Sequence, residues 1–134
     1  MLAPITPLYA VVLVVIKLLL VWRVVQLRQR HNIGLGEGQH RELQVAVRAH
    51  GNYMEAMPLM LILLFMAEMN GVATAVLHGV GLVFVASRIA HAVGMVQGRG
   101  RYAPNRALGV VGTWLALLTL CGFLLHNVYQ AGIY

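Results

Sequence analysis

Arg48, Asn52 and Glu55 bring charge and hydrogen-bonding groups into the stretch Arg48-Ala49-His50-Gly51-Asn52-Tyr53-Met54-Glu55-Ala56-Met57-Pro58, beyond which the chain is almost purely aliphatic. On a helix turning about 100° per residue, the three side chains fall within an arc of about 60°. Arg41 and Gln44 continue the stripe towards the N-terminus. Ionisable groups at membrane depth are costly unless paired or hydrated, so such a stripe marks a functional surface. Arg48 and Glu55 are two turns apart, about 10 Å along the axis, beyond direct pairing without long reach. Opposite charges at that separation suit a ligand bearing both signs. The plainer alternative is an intrahelical bridge, with the Asn52 amide beside it, that holds the bundle together. Pro58 removes the hydrogen bond to the Met54 carbonyl and is expected to kink the helix just past Glu55.

Further candidates lie elsewhere. Arg88 and His91, one turn apart in a later apolar stretch, share a helix face. Arg106 follows Pro104-Asn105 at a helix start, where the helix dipole opposes a cation. An anionic partner would offset that. Arg28 and Arg30 close the first apolar stretch, as the excess of basic residues at cytoplasmic ends requires, and Arg28 is also a candidate for anion capture. Arg23 is near enough to the same end to snorkel. Two readings of the deeper Lys17 stand side by side: pairing inside an assembly or cleft, and snorkelling of its long stem. No metal site is expected, because His50 and His91 sit among arginines and match no zinc spacing. His78 reads as a hydrogen-bonded interior or boundary histidine, Cys121 as a packing residue, and Gly98-Arg99-Gly100-Arg101 as a solvated loop.

Helices crossing a membrane must position these groups. The 134 residues are 60% apolar and only 10% charged, against about 25% charged in a soluble domain. Mean hydropathy is +0.76. The length fits a single domain of about four spans of roughly 20 residues, expected at Leu8–Leu27, Gln44–Met69, Val72–Val96 and Asn105–Val128. Asn70-Gly71 is a tight turn between the second and third. The first apolar run lacks a basic n-region and cleavage site, so it is expected to be retained as a span. Formal charge is +6, but the charges gather in two loops and on polar helix faces, which leaves no surface for a nucleic acid. The loops holding Arg28, Arg30 and Arg41 and holding Arg99, Arg101 and Arg106 share one side. The positive-inside rule puts that side in the cytoplasm and both termini outside. Gly79, Gly81, Ala86, Gly94, Gly109 and Gly112 are expected to allow close helix approach. Four short helices enclose little volume, so a site for a peptide-sized ligand forms more easily between chains of a homo-oligomer.

The pattern Arg48-Ala49-His50-x-Asn52-x-x-Glu55-x-x-Pro58 is similar to the signature of the MAPEG family, membrane-associated proteins in eicosanoid and glutathione metabolism. Ser87-Arg88-Ile89-Ala90-His91 and Pro104-Asn105-Arg106-Ala107-Leu108 resemble stretches of its microsomal glutathione transferase branch, in family order and spacing. The resemblance covers the whole chain. It implies an all-α homotrimer of four-helix bundles with glutathione as cosubstrate, bound in clefts between subunits that open to the cytoplasm. It further implies that Arg48, His50, Asn52 and Glu55 contact the tripeptide, that Arg28 matches a family arginine ending the first helix, that Arg88 and His91 line the site, and that Arg106 holds the sulfur as a thiolate. Several relatives carry tyrosines where this chain has Ala56 and Met95; Tyr102 is a candidate to substitute.

The residue types suit that chemistry. Glutathione carries two carboxylates for arginines and an ammonium for Glu55. Only its thiolate attacks well, and a neighbouring guanidinium favours that form. The expected activity is transfer of glutathione to a hydrophobic electrophile, or reduction of a lipid hydroperoxide, in an integral protein of a bacterial inner membrane. Two alternatives are a non-catalytic glutathione- or lipid-binding protein of the same fold, and a small four-span exporter. Exporters of that kind rely on an acid in the first helix, where this chain has Lys17.

Overall fold

The computed structural model describes residues 3–132, and among these the regular structure is entirely helical. The order is α1 (Ile5–His31), α2 (Arg41–Met69), α3 (Thr74–Gln97) and α4 (Pro104–Gln130). Each helix is long and apolar enough to cross a membrane. Their outward faces, with Leu18, Trp22, Leu82, Trp114 and Leu125 exposed, would be unsustainable in water.

The helices outrun the expected spans by up to one turn, except that α3 starts two residues later than expected, at Thr74; hydropathy marks the apolar stretch, whereas the hydrogen-bond ladder sets the helix ends. Arg28, Arg30 and His31 lie in the last turn of α1 and not in a loop. There they complement the negative end of the dipole. Asn32, left-handed at φ 51°, ends that helix, and Ile33 N–H closes onto the Arg28 carbonyl at 2.9 Å. Arg41 likewise opens α2, Pro104 occupies the first turn of α4, and α2 runs unbroken through Pro58.

The core gathers Leu13, Tyr53, Met60, Leu64, Phe84 and Leu120 from all four helices. Tyr53 is held by donating its hydroxyl to the Leu13 carbonyl at 2.6 Å. The most extensive interface joins α3 to α4, while α1 and α4 do not meet. Small residues account for the α3–α4 approach. A Cβ on Gly109 would lie 2.6 Å from His91 Cβ, and one on Gly112 would collide with the Ser87 hydroxyl. Gly81 receives the Tyr9 ring from α1. Gly79, in contrast, faces open space and Ala86 is exposed, so neither serves helix packing within the chain.

At the end carrying the termini and the Asn70-Gly71 turn, polar groups satisfy one another. Glu68 accepts from Ile5 N–H (2.7 Å), Thr6 N–H (2.8 Å) and the Thr6 hydroxyl (2.6 Å). One carboxylate thus caps the free N–H groups of α1 and ties it to α2. The Tyr9 phenol donates to the His78 carbonyl (2.9 Å) and lies 3.1 Å from His78 Nδ1, so His78 is a hydrogen-bonded, half-buried residue at the boundary of the bundle.

Candidate functional site

At the opposite end, where the two longer loops lie, the polar stripe of α2 meets the start of α4. Arg48, Asn52, Gln44 and Arg41 from α2, Arg106 from α4 and Glu37 from the loop before α2 surround a cleft of about 550 Å³. A second compartment of about 410 Å³ adjoins it towards the middle of the bundle. Its polar wall is Asn52, Glu55, Arg88, His91 and Arg106, and its apolar wall is Ala56, Leu59, Val110, Trp114 and Leu117. Asn52 and Arg106 line both. A charged chamber therefore opens into a greasy one across two side chains.

Arg106 reaches this position because Gly94 lets α4 begin against α3. A Cβ on Gly94 would sit 2.8 Å from Arg106 Cα and collide with the Arg106 backbone nitrogen. The Arg106 guanidinium makes only one long contact, 3.5 Å to the Gly100 carbonyl. Arg88, 4% exposed, sits behind it. It donates to the Gly109 carbonyl (3.2 Å) and more weakly to the Asn52 carbonyl (3.4 Å), so it joins α2, α3 and α4; its Nε has no partner. Arg88 also lies 5.9 Å from the Phe84 ring centre. His91 Nε2 lies 3.3 Å from the Asn52 amide, and its buried Nδ1 has no hydrogen-bond partner among the described residues.

No ion pair among the described residues neutralises the charge at the site. Arg48 and Glu55 are exposed and form no ion pair with each other or with any described residue. The intrahelical bridge considered from sequence does not form. All three ion pairs among the described residues converge on Glu42, from His31 (2.6 Å), Arg30 (3.9 Å) and Arg23 (4.0 Å). Unpaired ions beside an apolar wall are costly, and a ligand of complementary charge removes that cost.

Two expected contacts do not enter the cleft of a single chain. Arg28 folds over its own helix end, donating to the carbonyls of Gly34 (3.2 Å) and Ile33 (3.5 Å), in a separate shallow depression. His50 falls on the far side of α2, about 200° from Arg48, and its buried Nε2 has no partner. Tyr102 is 82% exposed and lines neither compartment. Ala56 and Met95 do line them, so the two positions without tyrosine face the ligand space directly. Glu37 and Trp114 carried no sequence signal, because only the loop path and the α2–α4 spacing bring them in. Lys17 is half-buried on α1 with no hydrogen bond or ion pair among the described residues.

The MAPEG family profile matches residues 6–126. The chain is also similar to the inner membrane protein YecN of Escherichia coli, in strain K12 and in strain O6:H1. Each is 35% identical over 116 residues, covering 87% of this chain and 86% of the relative. With a matching profile over nearly its whole length, this four-helix membrane protein belongs to the MAPEG family.

Proposed function

We propose that the protein is a glutathione-dependent membrane transferase, with peroxidase activity towards lipid hydroperoxides as the related outcome of the same thiolate. The observation that carries this reading is the shared lining by Asn52 and Arg106 of one polar and one apolar compartment. The polar volume falls within the usual range for small-molecule sites, about 300–1,000 Å³. Glutathione's carboxylates pair with Arg48 and with Arg28 of the partner subunit, its ammonium with Glu55, and its sulfur with Arg106. The guanidinium favours the thiolate, so the thiol proton leaves to solvent without a dedicated base. The sulfur then forms the new bond to an electrophile held by Leu59, Trp114 and Leu117, and the leaving group departs with the bonding pair. With a hydroperoxide, sulfur takes the terminal oxygen and the alcohol leaves; a second glutathione yields the disulfide and water.

In this reading three chains assemble, and Arg28 joins a site from a neighbouring subunit, since α1 and α4 of one chain do not meet. The basic loop end faces the cytoplasm by the positive-inside rule. The name of the Escherichia coli relatives supports a bacterial inner membrane. The test is ultraviolet absorbance of glutathione thiolate on adding glutathione to purified protein. A signal that disappears in Arg106→Ala supports the assignment; no signal from the wild type, or one unchanged by the substitution, removes it.

A non-catalytic binding protein is the second reading, and Ala56 and Met95 favour it, because no tyrosine hydroxyl reaches the ligand space at either position. Glutathione binding without conjugation or peroxide reduction across a broad electrophile panel would select it.

A further inference from the structure

Beside the polar cleft, further around α2, lies a groove that shares only Arg41 and Val45 with it and none of the residues assigned to glutathione. It occupies about 400 Å³ between α1 and α3, with α2 as its floor. Leu20, Val45, Ala46, Ala49 and Val96 make it apolar along its length, and Arg23, Arg41 and Arg99 crown its loop end. It exists because α1 touches α3 chiefly where Tyr9 meets Gly81 and His78, near the opposite end. Towards the loops, α1 packs on α2 instead, through Val24 and Leu27 against Leu43 and Ala46.

We infer that this groove binds an anionic phospholipid, with its phosphate among Arg23, Arg41 and Arg99 and an acyl chain along the apolar floor. The inference does not depend on glutathione binding. Charge and shape select the occupant together. Neither Arg41 nor Arg99 has an ion-pair partner among the described residues. Arg99 holds a left-handed backbone, φ 46°, between two glycines, and its carbonyl accepts from Arg41 Nε at 3.0 Å, which anchors the Arg41 guanidinium at the turn that carries Arg99. The rim's one acid, Glu42, is occupied by His31, Arg30 and Arg23. A free anion would make no use of the apolar floor. A second copy of the chain is a poor complement, since it has only four acidic residues against ten basic ones. Of those four, Glu42 is paired, Glu68 is bonded at the far end, and Glu37 and Glu55 line the cleft beyond α2.

The experiment is native mass spectrometry of the full-length protein released from mixed micelles of phosphatidylglycerol and phosphatidylcholine with identical acyl chains. The wild type is expected to retain phosphatidylglycerol at least fivefold over phosphatidylcholine. The double variant R23Q/R99Q should lose most of that preference, and so should V96E, which puts a carboxylate at an exposed position of the groove. Equal retention of the two lipids by the wild type overturns the inference. So does a preference that survives both variants, displacement of the lipid by inorganic phosphate alone, or a disulfide between copies carrying Cys at Val96 that forms whether or not lipid is present. Thiolate formation from glutathione should be unaltered in R23Q/R99Q, which separates failure here from failure of the transferase reading.

Discussion

The two ends of the bundle use similar residues to opposite effect. At the end with the termini, Glu68, Thr6, Tyr9 and His78 saturate one another, and helix ends are tied by the contacts. At the loop end, Arg48, Glu55 and Arg106 stand around a cleft with one long hydrogen bond among them. The first group of side chains is satisfied within the chain, whereas Arg48, Glu55 and Arg106 have no ion-pair partner among the described residues. Polar residues in a membrane protein therefore do not by themselves mark a site. What marks it is that their partners are missing.

Substitutions at the two ends should separate stability from ligand handling. The largest effect is expected from Arg106→Ala: loss of the cation beside the sulfur should lower kcat/KM for conjugation about 10- to 100-fold, a cost of about 1.4–2.8 kcal/mol, with thermal stability in detergent little changed. Next is Gly94→Leu. Overpacking against the Arg106 backbone should cost about 1–3 kcal/mol of stability and impair glutathione binding as well, whereas Gly79→Ala, facing open space, should leave both unaltered. Glu68→Gln should lower stability by about 1–2 kcal/mol, since a neutral amide is a weaker acceptor for the α1 N–H groups, while glutathione affinity stays within about twofold of wild type. If Glu68→Gln abolished binding with the fold intact, the division between the ends would fail. The smallest effect is a gain. Ala56→Tyr adds a hydroxyl in the cleft and should tighten glutathione binding severalfold, about 0.5–1.5 kcal/mol, as read by calorimetry.

Much of this arrangement was legible from spacing along a helix. The α2 stripe, the shared face of Arg88 and His91, and the four spans all follow from periodicity and hydropathy, which are local properties. Contacts set by the path of the chain were not. The left-handed turn at Asn32, for instance, returns the chain so that the Ile33 and Gly34 carbonyls accept from the Arg28 guanidinium within one chain. Gly94 is one small residue among several in the sequence, although it is the one whose missing side chain makes room for the Arg106 backbone. The same periodicity that groups Arg48, Asn52 and Glu55 puts His50 on another face of α2, outside the cleft of a single chain, and its place in the site rests on the motif resemblance. Glu37 and Trp114 needed the fold itself.

Equilibrium dialysis of radiolabelled glutathione against purified wild-type protein and the Arg48→Ala/Arg106→Ala double variant tests the central claim most directly. Saturable binding by the wild type, weakened at least 100-fold in a double variant that still folds, is the expected result. Absence of saturable binding to the wild type, or equal binding by the two proteins, would contradict the claim that these unpaired cations are there to receive glutathione.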